Sequence, residues 1–271
     1  MKSLVCAIFA LIIVFSNSIC AQVQQNRTPR FSAPGSRGVF PFRKKPSKEQ
    51  KRQLQPKAED IAEYSQFLAQ SNTGIFRLLP DKGCEDNALI LKADEDCLKA
   101  IPDSSFYSFR ETEHTHEAVA DIRLKNGFLI TDGVLAHGIM VNLGDVSLEN
   151  VLVSDANLIY LRNYQPKELS RDALKQRNEL QGGVKLGKYE YRSIHSAQAN
   201  SSYVLRVIAY KGSIFRSFRG FNYDLLEGDK RIDLMVAFRI IRKESDGSVT
   251  LIWKELERRK SPKIKFIKKK Q

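Results

Sequence analysis

The sequence predicts a mainly β (α+β) chain: a single antiparallel β-sandwich or open-barrel domain with an N-terminal helix and one inserted helix. Three observations carry that prediction. Short apolar runs of strand length recur from about residue 74 onward, each bounded by turn residues. Asn126-Gly127 and Asp246-Gly247 each stand between two such runs, where a tight hairpin needs positive φ at its centre. Only two stretches carry helical spacing, too few to lie between the strands of a parallel sheet.

Residues 1–21 combine Lys2, an apolar run from Leu4 to Phe15 and small residues up to Ala21. That is the plan of a secretory signal peptide, and the run is too short to span a bilayer. Cleavage fits after Cys20 or Ala21. A lipidated Cys20 would need a small residue before it, and Ile19 stands there. No later run is long and apolar enough for a membrane helix. The expectation is a secreted or periplasmic, extracytoplasmic protein with no transmembrane segment after signal cleavage. Residues 22–56 read as a disordered basic linker, rich in Pro, Arg, Ser, Gln and Lys and poor in apolar surface to offset ordering entropy. The globular domain is expected over 57–260, with a basic C-terminal tail at 261–271.

Within the domain, Pro56 precedes Ile61, Tyr64, Phe67 and Leu68 at helical spacing, which predicts a helix over 57–70. Strands are predicted in TGIFRLLP (73–80), NALILKA (87–93) and FYSFR (106–110). AVADIRLKNGFLITDGVL (118–135) reads as a hairpin. GIMVNLGDVSLENVLVSD (138–155) reads as two strands turning at Gly144-Asp145. A second helix is predicted over 166–181, opened by Pro166 and closed by Gly182-Gly183, with an apolar stripe of Leu169, Ala173, Leu174 and Leu180. The last third returns to strands: SYVLRVIAY (202–210), then RIDLMVAFRIIRKE (231–244) and SVTLIWKEL (248–256) around Asp246-Gly247. A two-residue turn there sets Ile240 opposite Trp253 and Arg242 opposite Leu251. Trp253 is then a core residue beside Phe238, Ile240 and Leu251.

The net charge of +13 is unevenly spread. Residues 22–57 hold ten Lys/Arg against one acid, residues 258–271 hold eight against none, and Lys2 adds one, which leaves 58–257 at −5. A nucleic-acid face built into the fold therefore loses its support, and the basic arms read as tethers to an anionic surface or polymer.

Cys6 and Cys20 leave with the signal, so Cys84 and Cys97 are predicted to pair in an oxidising compartment. Closing a loop of about 14 residues is worth roughly 3 kcal/mol in the chain-entropy account. The acids between them lack the spacing and turn glycine of a calcium loop and read as a solvated acidic loop.

RETEHTHE (110–117) poses the sharpest question. If 112–124 is one strand, His114 and His116 share a face and can reach one metal. A third ligand is lacking by spacing; His137, His195, Glu113 and Asp121 qualify by type alone. The preferred expectation is a charged, exposed strand edge. FRSFRGFNYD (215–224) interleaves arginine with aromatic residues, and Arg216, Phe218, Arg219, Phe221 and Tyr223 form a candidate binding patch. No Gly-x-Ser-x-Gly elbow, phosphate loop or His-Glu-x-x-His is present, and no catalytic residue or cofactor is implied. The functional expectation is a non-enzymatic exported binding or scaffold domain at the cell envelope or outside the cell. Its basic arms would meet anionic surfaces, and its ligand would be a protein or glycan. The alternative is a secreted hydrolase on an extracellular polymer, using carboxylates or a His-bound metal.

Overall fold

The computed structural model describes residues 46–84, 97, 100–131, 133–218 and 221–266. The signal peptide, the linker up to 45, the predicted strand at 87–93, the acids Glu85, Asp86, Asp94, Glu95 and Asp96, Arg219, and the tail from 267 lie outside the described residues.

Three short helices open the described chain: α1 (Lys48–Gln53), α2 (Ala58–Glu63) and α3 (Ser65–Leu68). The predicted 57–70 helix is broken at Tyr64, whose ψ of 17° leaves the helical range. Helix α1 stands inside the stretch read as linker. The missed signal is Ser-x-x-Gln: Ser47 and Gln50 form a reciprocal capping box, and Leu54 is buried just after it.

The strands that follow are β1 (Thr73–Leu78), β2 (Phe106–Ser108), β3 (Glu113–His114), β4 (Ile122–Lys125), β5 (Phe128–Thr131) and β6 (Ala136–Gly144). Helices α4 (Ile159–Asn163) and α5 (Ser170–Gly182) intervene before β7 (Val184–Leu186), β8 (Tyr189–Arg192), β9 (Ile194–Ser196) and β10 (Ser202–Ala209). The hairpin β11 (Phe215–Phe218) and β12 (Phe221–Asp224) precedes the two longest strands, β13 (Ile232–Lys243) and β14 (Val249–Lys260). Every pairing between these described strands is antiparallel. Seven strands form one sheet in the order β1-β14-β13-β10-β6-β8-β7, and five form a second, β3-β2-β4-β5-β9.

A single apolar cluster draws on both sheets: Phe76, Leu205, Val236, Phe238 and Trp253 from the larger one, Tyr107, Ile122, Leu124 and Leu129 from the smaller. The predicted sandwich is therefore present. Aromatic rings fill its middle. Phe76 stacks on Tyr107 at 3.6 Å, and Phe109 meets Phe238 at 5.8 Å and the edge of Trp253 at 5.5 Å. The larger sheet has a second buried face. Ile139, Val141, Val204, Met235 and Ala237 pack there against Leu148, Val151, Leu158, Leu161 and Leu180 from the helices and turns. Both faces of β10 are thus covered, and all eight of its residues are buried.

The Asn126-Gly127 hairpin forms as expected. Lys125 pairs with Phe128, and both turn residues have positive φ, 51° and 76°. Three other expectations are corrected. No strand follows Gly144-Asp145; residues 148–150 and 156–158 are 3-10 turns whose apolar side chains cover the sheet's second face, since β6 already has β10 and β8 as neighbours. Helix α5 begins at Ser170 rather than 166, and Leu169 and Leu174 point outward while Ala173 and Leu180 are buried. The β13–β14 register is offset by two from the predicted one, with Phe238 opposite Trp253 and Ile240 opposite Leu251. A five-residue connection closes the hairpin, Glu244 N–H donating to the Ser248 carbonyl, and an irregularity between Ile240 and Arg242 shifts the pairing by one residue. Trp253 is buried beside Phe238, Ile240 and Leu251 all the same.

The ends are more integrated than the charge count implied. Arg258 and Arg259 lie in β14, paired with Glu255 and Glu257 at 2.7 and 2.6 Å. Ile264 is only 6% exposed and packs on Ala173, Ile208 and Tyr210.

Gly74 lies opposite Trp253 in the β1–β14 pair. A Cβ at position 74 would approach the indole Nε1 to 2.5 Å and Cε2 to 2.9 Å. The indole is held by Phe109 and the sheet, so Gly74→Ala should cost about 1–3 kcal/mol through overpacking. Urea unfolding monitored by Trp253 fluorescence reads this directly. An unchanged midpoint would show that the indole moves freely.

Candidate functional site: a tyrosine-walled groove

The histidines do not form the strand predicted over 112–124. That segment holds only β3 at 113–114 and β4 at 122–125. Between them the chain turns, with the Val119 and Ala120 N–H groups both donating to the His116 carbonyl. Thr112, with φ of 60°, precedes the two-residue strand. Strand β3 is a sheet edge, as expected, yet the edge is not an exposed histidine surface: His114 is half-buried and His116 is buried at 7% exposure. His114 Nδ1 lies 3.0 Å from the Phe106 carbonyl, and its ring meets the edges of Phe76 and Tyr107. Burial pushes its pKa down to about 4 against the carbonyls of Phe106 and Arg77, which favour the proton. His114 lines a cavity of about 440 Å³ with Lys51, Leu54, Tyr107 and Glu113.

The other candidate ligands are scattered. His137 Nδ1 lies 3.2 Å from the Tyr210 hydroxyl, and burial, then Arg177, lowers its pKa to about 4. His195 Nε2 is 3.0 Å from the Met140 carbonyl, and burial lowers its pKa as well. Asp121 is bound to Arg110. No group of three or more His, Cys, Asp or Glu side chains placed to hold a metal occurs among the described residues. Cys84 and Cys97 form a disulfide.

FRSFRGFNYD forms the separate hairpin β11–β12, with Arg216 opposite Tyr223 and Phe218 opposite Phe221. Arg216 is exposed, as is Phe215 at 70%. Arg219 lies outside the described residues.

The feature that sequence reading missed is a groove on the helical side of the large sheet. Helix α4 supplies Tyr160, with Tyr164 at its C-cap; β8 supplies Tyr189 and Tyr191; Asn157 and Asn163 flank them. The cavity measures about 600 Å³, and Ile159 and Leu186, 46% and 47% exposed, stand at its rim. Tyr191 donates to the Asn157 carbonyl at 2.5 Å, which fixes the turn before α4 to the sheet. The Tyr160 ring lies 4.8 Å from that of Tyr191 and 6.0 Å from that of Tyr164. Burial raises the pKa of Tyr160, Tyr164 and Tyr191, so these phenols stay neutral at physiological pH. Among the described residues none that lines the groove is charged, though the Lys188 ammonium lies 5.2 Å from the centre of the Tyr189 ring. The Tyr164 hydroxyl and Asn157 Oδ1 are buried without a hydrogen-bond partner among the described residues. Such groups are uncommon in folded proteins and cost about 1–3 kcal/mol each when left unsatisfied.

The signal was present in YLRNY (160–164) and KYEYR (188–192). Tyrosines at i, i+4 share a helix face, and those at i, i+2 share a strand face. What the sequence does not show is that these two faces meet. No family model, curated protein or solved structure matches the chain.

The neutral histidines predict the direction of acid sensitivity. An unfolded histidine titrates near 6.5, whereas His114 and His137 do so near 4 in the fold. The unfolded chain therefore binds protons first. The stability tied to these groups is complete above about pH 6.5 and is lost as pH falls toward 4, up to roughly 3 kcal/mol for each. Urea midpoints should drop over that window, and less steeply in a His114→Gln/His137→Gln variant. Equal slopes would assign the drop to other groups.

Proposed function

We propose that the chain is an exported, non-enzymatic binding module of the cell envelope or extracellular space, and that its tyrosine-walled groove holds an uncharged stretch of glycan. The groove is the observation that carries this reading. Four phenol rings and two amides line one concavity with no charge among them. Aromatic faces accept the apolar C–H side of a sugar ring, while amides and phenols exchange hydrogen bonds with its hydroxyls. Tyrosine also suits recognition because it offers large area for little lost side-chain freedom.

Export rests on the signal-like residues 1–21, and the Cys84–Cys97 disulfide accords with an oxidising compartment. The Lys/Arg-rich flanks serve as contacts to an anionic surface or polymer. With α1 and the 261–266 segment built into the body, the freely available charge is smaller than the sequence count.

A glycan array followed by calorimetry tests the reading. Tyr160→Ala and Tyr189→Ala should each weaken binding of a neutral oligosaccharide about tenfold or more, the loss of one aromatic contact in a desolvated site. Both side chains are only half-buried, so folding should survive. Wild-type-like affinity in both variants would remove the groove from the binding site.

A further inference from the structure

After β14 the chain does not leave the body. The Ser261 hydroxyl donates to the Ala209 carbonyl. Lys211 N–H donates to the Pro262 carbonyl at 2.8 Å, and Ile264 N–H to the Lys211 carbonyl at 3.0 Å. Lys265 N–H donates to the Glu168 carbonyl at 2.7 Å, and Ser170 N–H to the Lys265 carbonyl at 2.9 Å. Residues 261–266 are thus a strap with parallel bridges to Lys211 on one side and Leu169 on the other. Ile264 anchors it from beneath.

The strap brings together residues far apart in sequence. Its Phe266 is 56% exposed; Leu169, the N-cap of α5 bridged to Lys265, is 43% exposed, and Leu174 in the first turns of the helix is 54% exposed. Lys167, Arg171, Lys175 and Arg177 stand near the leucines in sequence and are all exposed. Lys263 and Lys265 lie on the strap, the latter paired with Glu168 at 2.5 Å. Asp172 and Glu179 are the acids on this stretch of α5, Asp172 facing Arg171 at 3.4 Å.

We infer that this corner is a docking surface for an anionic lipid bilayer. The inference rests on reading the basic flanks as contacts to an anionic surface, and it names the surface. A dissolved polyanion engages the lysines and arginines alone and gains nothing from the leucines and the phenylalanine. A bilayer draws the cations to its headgroups and takes large apolar side chains into the boundary just below them. Exposed apolar groups ringed by cations are the pattern that boundary selects.

The experiment uses the full mature chain, sedimented with vesicles of phosphatidylcholine alone or mixed with phosphatidylglycerol, and tested in parallel on heparin as a soluble polyanion. Wild type should bind the mixed vesicles and not the neutral ones, and added salt should weaken that binding. Combining Leu169→Ser, Leu174→Ser and Phe266→Ser should lower vesicle affinity about tenfold while leaving heparin binding unchanged, because only the bilayer uses these side chains. The three side chains are exposed, and serine suits position 169, the N-cap of α5, so thermal unfolding should match wild type. In a separate Phe266→Trp variant, indole fluorescence should shift to the blue on mixed vesicles. Trp253 is buried and provides a constant background. Wild-type vesicle affinity in the triple serine variant, or no blue shift at position 266, would overturn the bilayer inference while heparin binding leaves the anionic-surface reading standing. Failure of wild type to bind either vesicles or heparin would overturn both.

Discussion

The structure depends on burying both faces of its larger sheet. Strand β10 is apolar nearly throughout, so neither face can be left to water. The smaller sheet covers one face. The other must be covered by whatever chain remains, and here that is the 3-10 turns, α4 and α5. Arg206 is the exception in β10 and shows what the constraint demands. It is 3% exposed on the second face, where a guanidinium must find partners or unfold the layer. Asp233 of the neighbouring strand meets it at 2.8 and 2.6 Å. Its remaining N–H groups donate to the carbonyls of Leu161 and Tyr164, at the C-terminal end of α4. A cation at that end satisfies carbonyls the helix leaves free and opposes the negative end of its dipole. One buried ion pair thus sets where α4 stops, and α4 and its C-cap carry two of the four tyrosines of the groove.

The same economy governs the other buried charges. Arg110 is fully enclosed, with Asp121 at 2.7 Å and Asp229 at 2.6 Å, and Asp229 also holds Arg231 at 2.5 Å. Arg110 further donates to the carbonyls of Val119 and Lys230, and Arg231 to those of Val134 and Tyr210. Five connections between strands are stapled together there. Buried pairs of this kind contribute little net stability relative to apolar replacements, but removing one partner costs roughly 3–5 kcal/mol. Asp60, 2% exposed, is held in the same way by Arg242, which fastens α2 to the β13–β14 hairpin. The acidic character of the body is thus partly a record of charges used to fix loops and helices to sheets.

What was legible in the sequence was local. Asn126-Gly127 specifies its turn through two residues of positive φ, and the hairpin forms in the expected register. Asp246-Gly247 resembles that signal, yet Ser248 completes a longer connection by donating to the Asp246 side chain, which slips the register. The alternation in β13 and β14 told which residues face the core but not which residue faces which. The apolar run 146–153 was misread because buried 3-10 turns and buried strands present the same composition. RETEHTHE failed for a related reason. Period-2 reasoning holds only while the chain stays extended, and Thr112 at positive φ and the turn after His116 break it. The groove was out of reach because two short tyrosine pairs, 30 residues apart, become one site only when α4 docks on β8.

The groove and the basic corner belong to one layer. Tyr164 packs both in the cluster beneath the groove and in the cluster beneath the strap, where Ile264, Ala173 and Tyr210 meet. The neutral, aromatic concavity on α4 and β8 and the cationic, apolar corner on α5 and the strap thus share a support through Tyr164. On the proposed reading they divide the labour of attachment. Electrostatic contact with lipid is long-ranged and fast but unselective, and it fades with salt. Contact between tyrosines and a sugar ring is short-ranged and selective but weak when it acts alone. Holding the body at a membrane raises the local concentration of any glycan displayed there, so modest groove affinity becomes effective without a single added contact. On that reading the groove would need no charge of its own, because the attraction toward its ligand would come from the side chains of α5 and the strap.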